Sequence, residues 1–319
     1  MRQSSLVSPN PAFTVELAEW RRRVLAPVLL LAVAACSPRF AAEQWVLGER
    51  VVQAHDIAYG DSGRQKLDVY RPRAARAPAP VIIFLYGGRW KYGSKDDYLL
   101  IANSFARRGW ITVLPNYRLY PHALFPAWVE DGASAVRWTL DNIQRFGGDT
   151  SRVIVAGHSS GAHTVALLAL DEHYLRDAGV SPGSVKGFVS VAGPVDTTWT
   201  APDVQRLMGP RDGWPVSYPA NHVSGRAAPL LLMHGDADDV VTVGNSIRLA
   251  ARIDAAGGCS RLHVYPGVGH IDIAVALGLP ALVQSPVLDD FANFVRDPAG
   301  STCAPARISP YRDLRSPRG

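Results

Sequence analysis

Ser159 sits between two glycines in Gly157-His158-Ser159-Ser160-Gly161, a spacing that suits nucleophilic chemistry. An apolar run, "VIVA", precedes these five residues, and a second, "AHTVALLAL", begins directly after Gly161. A strand that turns into a helix this abruptly needs glycines flanking the serine, because side chains there would collide. The turn lifts Ser159 Oγ to the carboxyl end of a sheet and the N-terminus of a helix. The helix dipole there favours developing negative charge. Ser160, the next residue, would offer its backbone N–H to an oxyanion. A serine alcohol is a poor nucleophile without a base, and the base needs a third group to orient it.

For such a turn the partners follow in the order serine, acid, histidine. "LLLMHGDADDVV" reads as a strand over 230–234 and a loop holding Asp236, Asp238 and Asp239. The H-G-x-x-D spacing, with two valines close behind, favours Asp238. Asp236 lies too near the strand end and reads as a turn residue, and Asp239 is the second choice. "VYPGVGHIDIA" then places His270 on a loop after another strand, 32 positions beyond Asp238, which leaves room for one helix and one strand. The remaining histidines (His55, His122, His158, His163, His173, His222, His234 and His263) lack a partner pattern and read as structural. No H-x-x-x-H pair or Cys/His cluster occurs, so no metal site is expected and the chemistry needs no cofactor.

A tetrahedral oxyanion also needs fixed donors. "FLYGGRWKYGS" (84–94) supplies a glycine pair after an apolar run. Without Cβ atoms that loop can approach Ser159 closely. The expected donors are the backbone N–H groups of Gly88 and Arg89, with Ser160 as the third. Trp90 is expected to pack beneath the loop. A phosphate cradle is excluded, since neither G-x-x-x-x-G-K-[ST] nor G-x-G-x-x-G is present.

These residues require a sheet with crossovers. Strand-like runs fall at 66–70, 81–86, 111–115, 153–157, 185–191, 230–234 and 261–265. Helical patterns fall at 98–108, 126–146, 160–170, 243–256 and 287–296. Several strands are continuously apolar, which suits a parallel sheet covered on both faces. Residues 51–70 read as a hairpin adding antiparallel edge strands. Periodicity fades over 194–229, which holds six prolines and two tryptophans, Trp199 and Trp214. That is too long for an ordinary connection and reads as a cap-like insertion shaping an apolar pocket. The domain is expected over 44–296, and 297–319 as a weakly ordered C-terminal tail.

Composition is ordinary for a globular chain, with 319 residues, 47% hydrophobic and 19% charged. The net charge of +5 falls to about +3 once the segment before Cys36 is set aside. No stripe of basic residues interleaves with aromatics, so nucleic-acid binding is not indicated. Oligomeric state leaves no mark in the sequence. The N-terminus, "RRRVLAPVLLLAVAACS", joins a basic stretch to about a dozen apolar or small residues, too few to span a bilayer. Residues 1–36 therefore read as a signal-peptide segment. "VAAC" resembles a bacterial lipobox, and "RRRVLA" faintly resembles a twin-arginine signal. The lipobox resemblance implies a lipid on Cys36, attachment to the membrane, and a place in the bacterial cell envelope. Two cysteines then remain, Cys259 and Cys303. In an oxidising compartment they are either a disulfide or two separate buried thiols.

Taken together, Gly157–Gly161, "HGDADDVV", "GVGH" and "NYRLYP" (116–121) resemble the α/β-hydrolase superfamily. The chain is most similar to the esterase/lipase branch with an H-G-G-x-W oxyanion motif, which includes carboxylesterases, BD-FAE-type esterases and kynurenine formamidases. The resemblance covers roughly 44–295. It implies an α/β-hydrolase fold, with a mostly parallel central sheet of about eight strands flanked by helices. It also implies a catalytic triad of Ser159, Asp238 and His270 acting on a small-molecule ester. Here Tyr86 stands at the motif's histidine, a position that supports the loop in the family, so with Gly87 it is expected to brace the loop. The same resemblance permits an arylformamidase of the N-formylkynurenine type, against which export argues. A non-catalytic envelope protein of this fold is the remaining reading, and the complete triad argues against it.

Overall fold

The computed structural model describes residues 51–73 and 78–300. The chain divides into two units, 1–48 and 49–319, and all described residues belong to the second. The signal-like segment with Cys36, residues 44–50 of the expected domain, and the tail from 301 onward with Cys303 lie outside the described residues.

Eight strands form one sheet in the order β1-β2-β4-β3-β5-β6-β7-β8. Strands β1 (Val51–Ala58) and β2 (Lys66–Pro72) pair antiparallel, as the hairpin pattern predicts, and β2 pairs antiparallel with β4 (Ile111–Pro115). Strands β3 (Ala79–Leu85), β5 (Gly148–His158), β6 (Val185–Val191), β7 (Leu230–Gly235) and β8 (Ser260–Tyr265) continue in parallel. Every residue of β3, β4 and β7 is buried, so these apolar runs are covered on both faces.

Successive side chains of β3 serve opposite layers. Val81, Ile83 and Leu85 join the core cluster with Trp128, Val129 and Val136 of α2 (Ala127–Asn142) and Val165 and Leu168 of α3 (Ser160–Leu170). Leu249 and Ile253 of α6 (Gly244–Ala255) belong to that cluster too. Phe84 faces the other way, with ring contacts to Phe105 of α1 (Leu99–Arg107), which stacks in turn on Phe291 of α8 (Val287–Arg296). Three short helices escaped the periodicity because each is under two turns: α4 (Glu172–Asp177), α5 (Pro202–Leu207) and α7 (Asp272–Gly278). The helical pattern over 126–146 is helix only to Asn142. Its last turn, Ile143–Phe146, tightens to 3-10 geometry and stops at Gly147, with φ of 84°.

The C-terminal ends of the parallel strands gather the loops that matter for chemistry. In the sheet Leu85 pairs with Gly157, so the loop after β3 and the turn after β5 leave the sheet side by side. Their separation is set by one glycine. A Cβ on Gly161 would lie 2.2 Å from the Leu85 carbonyl oxygen and 2.5 Å from that of Tyr86. Both are backbone atoms of a central strand and its exit, and neither can yield without moving the sheet. Replacing Gly161 with alanine is therefore expected to cost about 3 kcal/mol or more, at or above the upper range for overpacking. A urea titration checks this, and an unchanged midpoint would refute the close approach.

Candidate active site

The nucleophile turn is strained. Ser159 lies between β5 and α3 with φ 55° and ψ −119°, a left-handed conformation rare for a residue with a side chain. Its own N–H donates to the Val191 carbonyl of β6 at 2.9 Å, which holds the turn. A Cβ on Gly157 would meet the Gly161 carbonyl carbon at 2.6 Å, so both flanking glycines are needed for close backbone approach.

The structure brings Ser159, His270 and Asp238 into one line. Nε2 of His270 is 2.9 Å from Ser159 Oγ, and Nδ1 is 2.7 Å from Asp238 Oδ2. The other carboxylate oxygen, Oδ1, accepts the N–H groups of Val240 at 3.0 Å and Val241 at 2.7 Å. Both Asp238 and His270 are buried. Asp239 is exposed. Asp236 is exposed as well and accepts the Gly267 N–H at 2.7 Å. With the Ala237 N–H on the Val268 carbonyl at 3.2 Å, that contact ties the acid loop to the histidine loop.

Three further histidines surround the line, all buried. A backbone carbonyl can only accept, so each donates Nε2–H: His158 to His270 at 2.9 Å, His163 to Ser217 at 2.8 Å, and His234 to Val241 at 2.7 Å. Burial pushes His158 and His163 down to about 4 and also lowers His234. All three are therefore neutral near pH 7. His234 also takes the Ser246 hydroxyl on Nδ1 at 2.7 Å, so the histidine of H-G-x-x-D steadies the acid loop from below.

The loop after β3 turns through three consecutive positive φ values: Gly88 at 136°, Arg89 at 55° and Trp90 at 58°. Among the described residues, the N–H groups of Gly88, Arg89 and Ser160 meet no protein acceptor. A Cβ on Gly87 would come within 3.0 Å of Ser159 Cβ, which puts the loop against the nucleophile. The "NYRLYP" segment braces its outer side. Asn116 Oδ1 accepts the Lys95 N–H at 2.8 Å, the Tyr117 hydroxyl donates to the Tyr86 carbonyl at 2.7 Å, and the Tyr120 N–H donates to the Trp90 carbonyl at 3.0 Å.

Tyr86, at the position expected to support the loop, is buried and stacked on Tyr117 at 4.3 Å between centroids. Its hydroxyl accepts from Arg64, on the β1–β2 turn, at 2.7 Å. The same guanidinium donates to the carbonyls of Gly93 and Tyr117 at 2.6 and 2.8 Å. Arg64 thus clamps both ends of the loop. Nothing in its sequence surroundings marks it, because its partners lie 22 to 53 residues away.

Trp90 is buried and packs on Trp128 and, edge-on, on His163 and Trp199. Trp199 belongs to the 194–229 stretch, so this stretch sits against the underside of the loop. The Arg89 side chain reaches the same stretch from outside, with Nη2 2.9 and 2.8 Å from the two oxygens of Asp203 on α5. A cleft of about 600 Å³ opens along the stretch, lined by Thr198, Trp199, Gln205, Trp214 and Tyr218 among others. The lining is more apolar than polar, and Ser159, Asp238 and His270 are not part of it. Trp199 and Trp214, the two tryptophans expected to shape an apolar pocket, both line this cleft. Trp199 is mostly committed to packing, with its indole N–H donated to Ser217 at 2.6 Å. Cys259 is disulfide-bonded, and its expected partner Cys303 lies outside the described residues.

The BD-FAE family model matches residues 67–253. Esterase LipC of Mycobacterium tuberculosis is 31% identical over 300 residues, covering 81% of this chain and 73% of that protein. Esterase LipQ of the same organism is 28% identical, covering 76% of this chain and 62% of its own length. Among solved structures, esterase B from Lactobacillus rhamnosis superimposes with a TM-score of 0.66 at 21% identity, over 84% of this chain and 96% of that one.

The Tyr86 hydroxyl is the one atom that distinguishes this brace from a plain aromatic stack. Tyr86→Phe should cost about 1.5–3 kcal/mol of stability, the range for a hydrogen bond to a charged group. It should lower kcat by less than about tenfold, since Gly93 and Tyr117 still hold Arg64. Chemical denaturation and ester kinetics on one preparation check both figures. A stability equal to that of the parent would show that the Arg64 contact does not carry the brace.

Proposed function

The chain belongs to the BD-FAE family, and from that premise we propose that it hydrolyses carboxylic esters of small molecules through an acyl-enzyme on Ser159. The observation that carries this reading is the line from Ser159 Oγ through His270 to Asp238, with hydrogen bonds of 2.9 and 2.7 Å. His270 Nε2 takes the serine proton as Oγ attacks the ester carbonyl. Asp238 keeps the proton of His270 on Nδ1 and stabilises the imidazolium that forms. The developing oxyanion is received by the N–H groups of Gly88, Arg89 and Ser160, with the N-terminus of α3 behind them. The imidazolium then protonates the leaving alcohol. Water, deprotonated by His270, attacks the acyl-enzyme and releases the acid.

Support also comes from curated relatives whose names are esterases and from the histidine geometry. Of the four imidazoles around Ser159, only His270 has a carboxylate on Nδ1 and a hydroxyl on Nε2. Ser159→Ala, assayed with short p-nitrophenyl esters, is expected to lose at least about 10⁴-fold in kcat. Undiminished turnover would remove Ser159 from the mechanism.

We further propose that the protein is exported and held at the bacterial envelope by a lipid on Cys36. The lipobox-like "VAAC" after an apolar core is the support. In a bacterial host, the full chain should fractionate with membranes, and Cys36→Ser should move it to the soluble fraction. Equal partitioning of the two would exclude the anchor.

A further inference from the structure

One histidine beside the nucleophile does more than fill space. His158, the residue before Ser159, donates Nε2–H to the carbonyl of His270 at 2.9 Å. That use of Nε2 leaves Nδ1 of the neutral ring as an acceptor, and the Tyr98 hydroxyl lies 2.7 Å from it. The hydroxyl proton must point at His158, so the tyrosine oxygen is free to accept. It takes the N–H of Gly87 at 3.0 Å. The polarity of the whole chain is fixed by its last acceptor. Burial, and secondarily His270, push His158 down to about 4, and burial first of all pushes Tyr98 up to about 12. Neither group changes charge near pH 7, so the polarity is constant there.

The two ends of this chain are the two parts of the site whose separation matters most. Gly87 immediately precedes the proposed donors Gly88 and Arg89, and the His270 carbonyl belongs to the peptide of the proposed base. We propose that Tyr98 and His158 form a positioning relay, Gly87 N–H to Tyr98 Oη, Tyr98 O–H to His158 Nδ1, and His158 Nε2–H to the His270 carbonyl, that sets the distance between the oxyanion donors and the base. This rests on the serine-hydrolase reading above. Neither residue touches the reacting atoms. They act by holding two loops, after β3 and after β8, that share no strand pairing with each other.

The test uses the full chain and short p-nitrophenyl esters, with active sites counted by fluorophosphonate titration of Ser159. Tyr98→Phe removes one hydroxyl and leaves the ring. It should lower kcat per active site about 10- to 100-fold, the scale of a small misplacement of reacting groups, while KM stays within about twofold. His158→Leu should show the same split. His158→Gln, which can still donate to the His270 carbonyl, should recover at least about tenfold of that loss. Because one broken link opens the whole relay, Tyr98→Phe combined with His158→Leu should cost little more than His158→Leu alone. A role confined to folding would instead lower the melting temperature and leave kcat per titrated site unchanged. Parental kcat in Tyr98→Phe, or multiplying losses in the double variant, overturns the relay while Ser159→Ala remains inactive. Turnover persisting in Ser159→Ala overturns the hydrolase reading, and the relay with it.

Discussion

The contact between the backbone of Gly161 and the carbonyls of Leu85 and Tyr86 sets the geometry on which the remainder depends. It presses the start of α3 onto the end of β3, so the nucleophile turn and the oxyanion loop form one body. Ladder bonds between β3 and β5 already fix the two strands in register. The glycine carries that fixity one step past the sheet, where no ladder exists. Ser159 can then hold a left-handed backbone because its neighbours on β3 and β6 leave it no alternative. Strain of this kind persists only where the surroundings over-determine it.

The histidines show how one imidazole is chosen among several. His158, His163 and His234 each give Nε2–H to a backbone carbonyl, which fixes their tautomer and removes that nitrogen from proton transfer. Burial denies them a charge. His270 is buried too, though less completely, and its Nδ1 faces Asp238, whose other oxygen is held by two backbone N–H groups. His234 also meets Asp238, at 3.2 Å, but through the Nε2 that already gives its proton to Val241, whereas His270 meets the carboxylate through Nδ1 and keeps Nε2 for Ser159.

Much of this was legible before any coordinates. The buried strands announced themselves as continuous apolar runs, and the glycine spacing around Ser159 was readable because a strand and a helix flanked it. Asp238 was favoured over its acidic neighbours by the H-G-x-x-D spacing and the valines behind it. What the sequence hid are contacts between residues far apart in the chain. Arg64 lies on the β1–β2 turn and Tyr98 at the end of a short 3-10 helix before α1, and their roles exist only once these elements and the loop after β3 come together. Helices α4, α5 and α7 are too short to show a period. Trp199 lines the 194–229 cleft, as a tryptophan in a proline-rich stretch suggests, but its packing on Trp90 and His163 is a contact between distant residues that the sequence did not show.

The pairing of Arg89 with Asp203 makes the 194–229 stretch something other than an interchangeable module. Arg89 carries one of the proposed oxyanion donors on its backbone, and its side chain grips α5 through both carboxylate oxygens of Asp203. A transplanted stretch lacking that carboxylate would release a guanidinium at the mouth of the site and loosen the peptide that presents the donor. Diversification of the cleft is thus tethered to the catalytic loop. Descendants with new specificities would be expected to keep an acid at this place, or to change both residues together.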